Sequence, residues 1–144
     1  MEERWSYGAA EIRLLETTAD LGLAVRAPTL GSLLAGAGYG FTALTTDPAL
    51  LEPRWPRLMT LTTPGRPELL VHWIEALIVL FETESFLARE LQVRIKNRTL
   101  RARLIGDLFD PDRHPLYAQV KGATYHRLSL TGPRPWRGEV ILDV

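Results

Sequence analysis

Apolar residues recur at a spacing of three to four in only two stretches of this chain, and elsewhere they alternate at a spacing of two. The first spacing makes one face of a helix apolar; the second makes one face of a strand apolar. A chain that changes period in this way must combine helices with runs of strands. Leu30, Leu33, Leu34, Ala37, Phe41 and Leu44 define the first helical stretch, with Thr29 placed as its N-cap. Leu70, Trp73, Ile74, Leu77 and Phe81 define the second, after the turn Pro64-Gly65-Arg66-Pro67, and Pro67 suits a first helical turn. Glu68, His72, Glu75 and Glu82 occupy its other side, with His72 read as an exposed helix residue.

Gly31, Gly36, Gly38 and Gly40 interrupt the first stretch. Each costs about 1 kcal/mol against alanine inside a helix, so tertiary packing must hold that segment. A phosphate cradle places its glycines in a strand-to-helix turn. These glycines lie within a helical period, which points to close helix packing instead.

The strands follow from alternation. Residues 10–16 and 21–26 read as antiparallel neighbours across the polar break Thr17-Thr18-Ala19-Asp20. Residues 57–63 form a third strand. Residues 91–96 and 100–104 form a hairpin whose turn carries Asn97, a residue that tolerates positive φ. Residues 120–130 and 136–144 read as closing strands, and residues 107–115 as an irregular charged loop. The predicted order is β-β-α-β-α-β-β-β-β. It gives an α+β fold, a two-layer domain spanning residues 1–144, with a mostly antiparallel or mixed sheet and both helices on one face.

With 144 residues the chain fits one domain, and its 46% hydrophobic content supports a core. It has no cysteine, which excludes disulfides, thiolate zinc sites and cysteine nucleophiles. Seventeen basic and seventeen acidic residues cancel, which excludes a uniformly basic nucleic-acid binder but not a local patch. No apolar run reaches the roughly 20 residues of a membrane span. The acidic start Met-Glu-Glu-Arg lacks the apolar region of a signal peptide, so the cytoplasm is the expected compartment.

Three groups of residues could carry function. Asp107, Asp110, Asp112, Arg113 and His114 form the densest polar cluster, but its spacing lacks the glycine of an EF-hand loop. A turn-rich loop opened by Asp110-Pro111 is the plainer reading. A small metal-dependent phosphoesterase built on Asp107, Asp110, Asp112 and His114 is the alternative. Arg94, Lys96, Arg101 and Arg103 share one face of the hairpin, with Arg89 and Arg98 nearby. Such a face meets RNA phosphates, an acidic partner or simply solvent, and no aromatic residue is interleaved for base stacking. Finally, Val140-Ile141-Leu142 ends in Asp143-Val144, and a loop such as 16–20 can reach the same sheet edge. Hard oxygens converging there suit Ca²⁺ or Mg²⁺, whereas a frayed terminus is the default for such a segment.

Several motifs in order resemble the archease family. Glu16-Thr17-Thr18-Ala19-Asp20-Leu21-Gly22 is similar to its Glu-His-Thr-Ala-Asp-Ile-Gly signature, with Thr17 where the family usually has histidine. Thr46-Asp47, Trp73-Ile74-Glu75-Ala76-Leu77, Leu80-Phe81-Glu82-Thr83-Glu84, Asp110-Pro111-Asp112-Arg113-His114, Val120-Lys121-Gly122-Ala123-Thr124-Tyr125-His126 and the closing Asp143-Val144 follow.

The resemblance implies a non-catalytic helper of an RtcB-type RNA ligase in tRNA splicing and RNA repair. It would stimulate ligase guanylylation and multiple turnover, while GTP and Mn²⁺ belong to the ligase. The family's metal position falls on Asp20, Asp143 and Val144, the last through a main-chain or terminal oxygen, with Ca²⁺ the expected ion. Lys121 and Asp47 are the expected partner-facing residues. Contact with RNA would be indirect or weak, and no membrane contact is implied.

Overall fold

The structure, a computed structural model, describes residues 3–17 and 19–144. Met1 and Glu2, which open the expected leaderless N-terminus, and Thr18, inside the 16–20 motif, lie outside the described residues. In chain order the elements are β1 (Arg4–Tyr7), β2 (Ala10–Glu16), β3 (Leu21–Ala27), α1 (Leu30–Thr45), β4 (Trp55–Thr62), α2 (Arg66–Glu84), β5 (Phe86–Lys96), β6 (Thr99–Leu108), β7 (Gly122–Ala123), β8 (Ser129–Thr131) and β9 (Trp136–Asp143). A short 3₁₀ turn, Pro48–Leu50, follows α1.

The α+β class and the antiparallel pairing stand as expected. Alternation does not reveal how the strands divide. One sheet has the order β1-β2-β3-β9-β7, with β8 also on β9, and a second has the order β4-β6-β5. Helix α1 packs on both. A Cβ at Gly36 would meet Ala10 Cβ at 2.5 Å and Val25 Cγ1 at 3.3 Å in the larger sheet. A Cβ at Gly31 would meet the Val93 carbonyl oxygen of β5 at 2.6 Å. The glycines of α1 therefore serve close packing on either side, as the sequence predicts.

Thr29 caps α1 in a reciprocal box with Ser32. Pro67 stands in the first turn of α2, and Ser85 ends that helix in the left-handed region at φ 57°. Trp73, fully buried, donates its indole N–H to the Leu34 carbonyl of α1 at 2.7 Å, so the core satisfies its polar atom.

Two local readings change. Strand β1 is only four residues long and carries too little alternation to be read from the sequence. Residues 120–130 are not one strand: β7 and β8 are separated by a turn in which Arg127 takes φ 54°. Thr124 turns the chain there by donating both its N–H and its hydroxyl to the Ile141 carbonyl, at 2.9 and 3.0 Å.

Helix α1 runs back along β3: Gly36 lies over Val25 and Gly40 over Leu23. Its C-terminus therefore reaches the end of the molecule where β3 begins and β9 ends. The segment after β6 crosses the same end, where the Tyr117 N–H donates to the Thr45 carbonyl at 2.8 Å.

Candidate functional site

Leu21 is the cross-strand partner of Leu142. Asp20 immediately precedes the first and Asp143 immediately follows the second, so β3 and β9 deliver both carboxylates to one edge of the larger sheet. The β3–β9 register sets the two residues at neighbouring strand ends. Asp20 is half-buried; Asp143 and Val144 are exposed.

Strand β7 flanks the other side of β9. Gly122 pairs with Asp143, and the Lys121 N–H donates to the Asp143 carbonyl at 2.7 Å. Glu75 of α2 accepts the Ala123 N–H at 2.8 Å and ties this short strand to the helix. The exposed Lys121 therefore belongs to the same sheet edge as Asp143.

Thr17 explains itself locally. Its hydroxyl oxygen accepts the Asp20 N–H at 3.0 Å and lies 3.2 Å from the Asp20 carbonyl, to which it donates. Its own N–H donates to the same carbonyl at 3.0 Å. Thr17 thus closes the β2–β3 turn and orients the residue that bears the candidate carboxylate.

The oxygen-only donors of this edge, two carboxylates and neighbouring main-chain carbonyls, have the chemistry of a hard divalent cation site. Among the described residues, no three His, Asp or Glu side chains gather into a metal-holding group. A cation here would complete its shell with main-chain oxygen or water.

Asp47 has different neighbours. Its carboxylate accepts the Ala49 N–H at 3.0 Å and caps the 3₁₀ turn. Burial, followed by the Asp47 carboxylate, pushes the Tyr39 hydroxyl above its ordinary pKa. Asp47 itself stands just past the end of α1, on the turn that carries Leu50, while Tyr39 stacks on Tyr7, whose hydroxyl donates to the Leu91 carbonyl.

The Asp107–His114 cluster is a structural knot. Asp107 is buried, and its two carboxylate oxygens accept the N–H groups of Glu52 and Leu108, both at 2.9 Å. Burial pushes its pKa up, but those two N–H groups with Arg113 and His114 outweigh it and hold the carboxyl below its ordinary range. His114, also buried, accepts the Asp110 N–H on Nδ1 and faces the Leu50 carbonyl with Nε2 at 3.2 Å. Asp110 opens the turn as predicted: its carboxylate accepts the Asp112 N–H and the Arg113 Nε–H. The Asp112 N–H first, then Arg113, lower the Asp110 pKa. The buried pair of this cluster, Asp107 and His114, is occupied in joining residues 50–52 to residues 107–114.

One surface was missed by sequence reasoning. Leu50, Leu116 and Tyr117 are 48%, 52% and 62% exposed on the segments that this knot and the Tyr117–Thr45 bond hold at the end of α1. In a sequence they read as ordinary loop apolars, because nothing local marks which apolar residues stay outside.

Comparison with known proteins agrees with this architecture. Residues 13–144 match the model of the archease protein family. The chain is 30% identical to the protein archease of Sulfurisphaera tokodaii, covering 83% of this chain and 88% of that one. It is also 30% identical to the protein archease of Pyrobaculum islandicum, covering 93% and 95% respectively. The solution structure of Methanobacterium thermoautotrophicum protein 1598 superposes with a TM-score of 0.80 at 23% identity, covering 91% of this chain and 96% of that one. The crystal structure of an archease, described as a possible chaperone, from Thermotoga maritima gives 0.67 at 13% identity, covering 90% and 94%. These two structural likenesses speak for the fold.

Proposed function

The chain belongs to the archease family, and from that premise we propose that it is a non-catalytic activator of an RtcB-type RNA ligase in tRNA splicing and RNA repair. It promotes guanylylation of the ligase and its return to further turnovers. The observation that carries this reading is the Leu21–Leu142 register, with Asp20 and Asp143 at neighbouring strand ends and Lys121 just before the adjoining strand β7.

Asp20, Asp143 and a main-chain oxygen of Val144 would hold a divalent cation there, with Ca²⁺ the best match to the donor set. A bound cation supplies positive charge and open coordination positions at the partner's surface. The chain's own residues supply the rest. Thr17 fixes the turn that carries Asp20, and the Lys121 N–H fixes the strand end that carries Asp143. Lys121 offers a cation beside the acidic edge, and Leu50, Leu116 and Tyr117 offer apolar surface at the same end. Exposed apolar residues beside charged ones make a docking rim, with the aromatic residue the expected anchor. Among the described residues no helix is long and apolar enough to cross a membrane, and we place the protein with its ligase in the cytoplasm.

The deciding experiment is single-turnover guanylylation of the cognate ligase with GTP and Mn²⁺, with and without this protein. Acceleration by the wild type and its loss with Asp20→Ala or Asp143→Ala supports the reading. No acceleration by the wild type overturns it.

A further inference from the structure

The outer face of the β4-β6-β5 sheet carries a concentration of positive charge that the ligase-activator reading does not use. Arg94 of β5 pairs directly with Arg101 of β6, and Arg101 pairs on its other side with Thr60 of β4. The next rung joins Lys96, Thr99 and Thr62, and the rung on the other side joins Gln92, Arg103 and Leu58. Directly opposed residues share a face, so Arg94, Lys96, Arg101 and Arg103 all point outward together. All four are exposed, as is Arg98 in the hairpin turn. None of these five cations has an ion-pair partner among the described residues.

The larger sheet provides an internal comparison. It too holds directly opposed arginines, Arg4 with Arg13 and Arg26 with Arg137, but Glu11 stands across from Arg26 on its other side and Glu139 lies on the rung of Arg13. Opposed like charges cost stability, and a flanking carboxylate offsets that cost. The Arg94–Arg101 pair has a threonine there instead. Glu90, the carboxylate of that face on β5, lies two rungs from Arg94 at the β-bulge. The chain as a whole has zero net charge, so this face is a segregated patch rather than a share of a basic surface.

We infer that this face binds the phosphate backbone of single-stranded RNA. Arginine dominates the patch, and its planar fork suits phosphate oxygens. The hydroxyl of Thr60 stands on the same face as a further donor to phosphate or sugar, as does one hydroxyl of the Thr62–Thr99 pair, whose hydroxyls are 3.2 Å apart and bonded to each other. Residues two apart along a strand are about 6.6 Å apart, so Arg94 and Lys96, or Arg101 and Arg103, present a row of evenly spaced cations to an extended chain. A protein partner would instead need apolar anchors, and Leu58, 81% exposed, is the face's one large side chain of that kind on these three rungs. No aromatic residue stacks bases here, so the binding is independent of sequence and sensitive to salt. The inference does not depend on the ligase, and its test uses none.

The test is fluorescence anisotropy of a labelled RNA single strand, about 20 nucleotides long, with the full chain across 50 to 200 mM KCl. Four phosphate contacts predict a log–log salt slope of about −3, a loss of roughly 50-fold over that range. Arg94→Glu with Arg101→Glu should lower affinity at least 10-fold and flatten the slope. Arg26→Glu with Arg137→Glu, the same change of charge on the other sheet, should stay within about 3-fold of wild type. Equal losses in both double variants overturn the inference, as does absence of binding at 50 mM, or displacement of the RNA by polyglutamate as readily as by unlabelled RNA. Circular dichroism checks the fold of each variant. If charge reversal unfolds the sheet, Arg94→Gln with Arg101→Gln removes the charges without repulsion and gives the same readout.

Discussion

The Nδ1 atom of His114 accepts the backbone N–H of Asp110 at 2.9 Å. That bond assigns the proton of the neutral ring to Nε2, which faces the Leu50 carbonyl at 3.2 Å. One buried imidazole therefore satisfies a turn on one side and the segment after α1 on the other. His114→Ala leaves both backbone groups without a partner and opens a cavity. The expected cost is roughly 2–4 kcal/mol, from lost hydrogen bonds and lost packing together. Urea unfolding followed by circular dichroism reads it. A loss below about 0.5 kcal/mol would show that the knot is dispensable.

Asp107 makes the same knot sensitive to acid. Its folded carboxyl lies below the ordinary range, so its contribution is present above the unfolded value, about 3.9, and is lost as pH falls through the folded value. Asp107→Asn should cost about 1–3 kcal/mol near pH 7, because an amide cannot accept the same N–H groups with both of its heavy atoms. The gap between wild type and variant should shrink steadily below about pH 4. Urea midpoints at several pH values check this; a gap that widens on acidification would reverse the sign of the argument.

Gly36 tests the packing of α1 between the sheets. In an exposed helix, glycine to alanine gains about 1 kcal/mol. Here the added Cβ would lie 2.5 Å from the Ala10 Cβ, an atom fixed directly to backbone, and 3.3 Å from Val25 Cγ1. No rotamer change relieves the first contact. Overpacking of about 1–3 kcal/mol should exceed the propensity gain, so Gly36→Ala should lower Tm. A raised Tm would mean that α1 can lift away from β2 at no cost.

Much of this was legible before the structure, for reasons that differ by element. The period of 3.6 in residues 70–81 survives because one side of α2 stays wet. Thr29 and Asn97 were legible because capping and positive φ are local chemistry, and both residues play those parts. The glycines of α1 announced close packing, but not that the two contact surfaces are separate sheets, since alternation carries no information about which strands pair. Residues 120–130 look like one strand in the sequence because the hydrogen bonds that break them, from Thr124 to Ile141, join residues far apart in the chain. Arg89 was placed near the hairpin cations. The β-bulge between Ala88 and Glu90 shifts the register there, and Arg89 donates to the Leu51 carbonyl at 2.8 Å instead. Asp20 and Asp143 stand out in the sequence because one precedes and the other follows a strand-like apolar run.

The acidic edge separates fold from function most sharply. The Asp143 side chain is exposed, but its carbonyl accepts the Lys121 N–H at 2.7 Å and its backbone pairs with Gly122. Asp143→Ala keeps that backbone bond, so its Tm should match wild type within the error of the measurement. Asp20→Ala likewise keeps the N–H and carbonyl that Thr17 engages. Deleting residues 143–144 is different: it removes the acceptor of the Lys121 N–H and the end of the β7–β9 pairing. It should cost about 1 kcal/mol while Val140 and Leu142 keep the sheet closed. Thr17→His loses the hydroxyl that accepts the Asp20 N–H, so it should cost a similar amount even if the new ring adds a metal donor. All four variants should stay folded. Asp20→Ala, Asp143→Ala and the deletion should each lose stimulation of ligase guanylylation, whereas Thr17→His should alter the affinity for Ca²⁺ read by calorimetry. Thermal melts beside single-turnover guanylylation make the comparison. Full stimulation by any of the first three would remove that residue from the site, and collapse of the Asp143→Ala melt would make the acidic edge a structural feature instead.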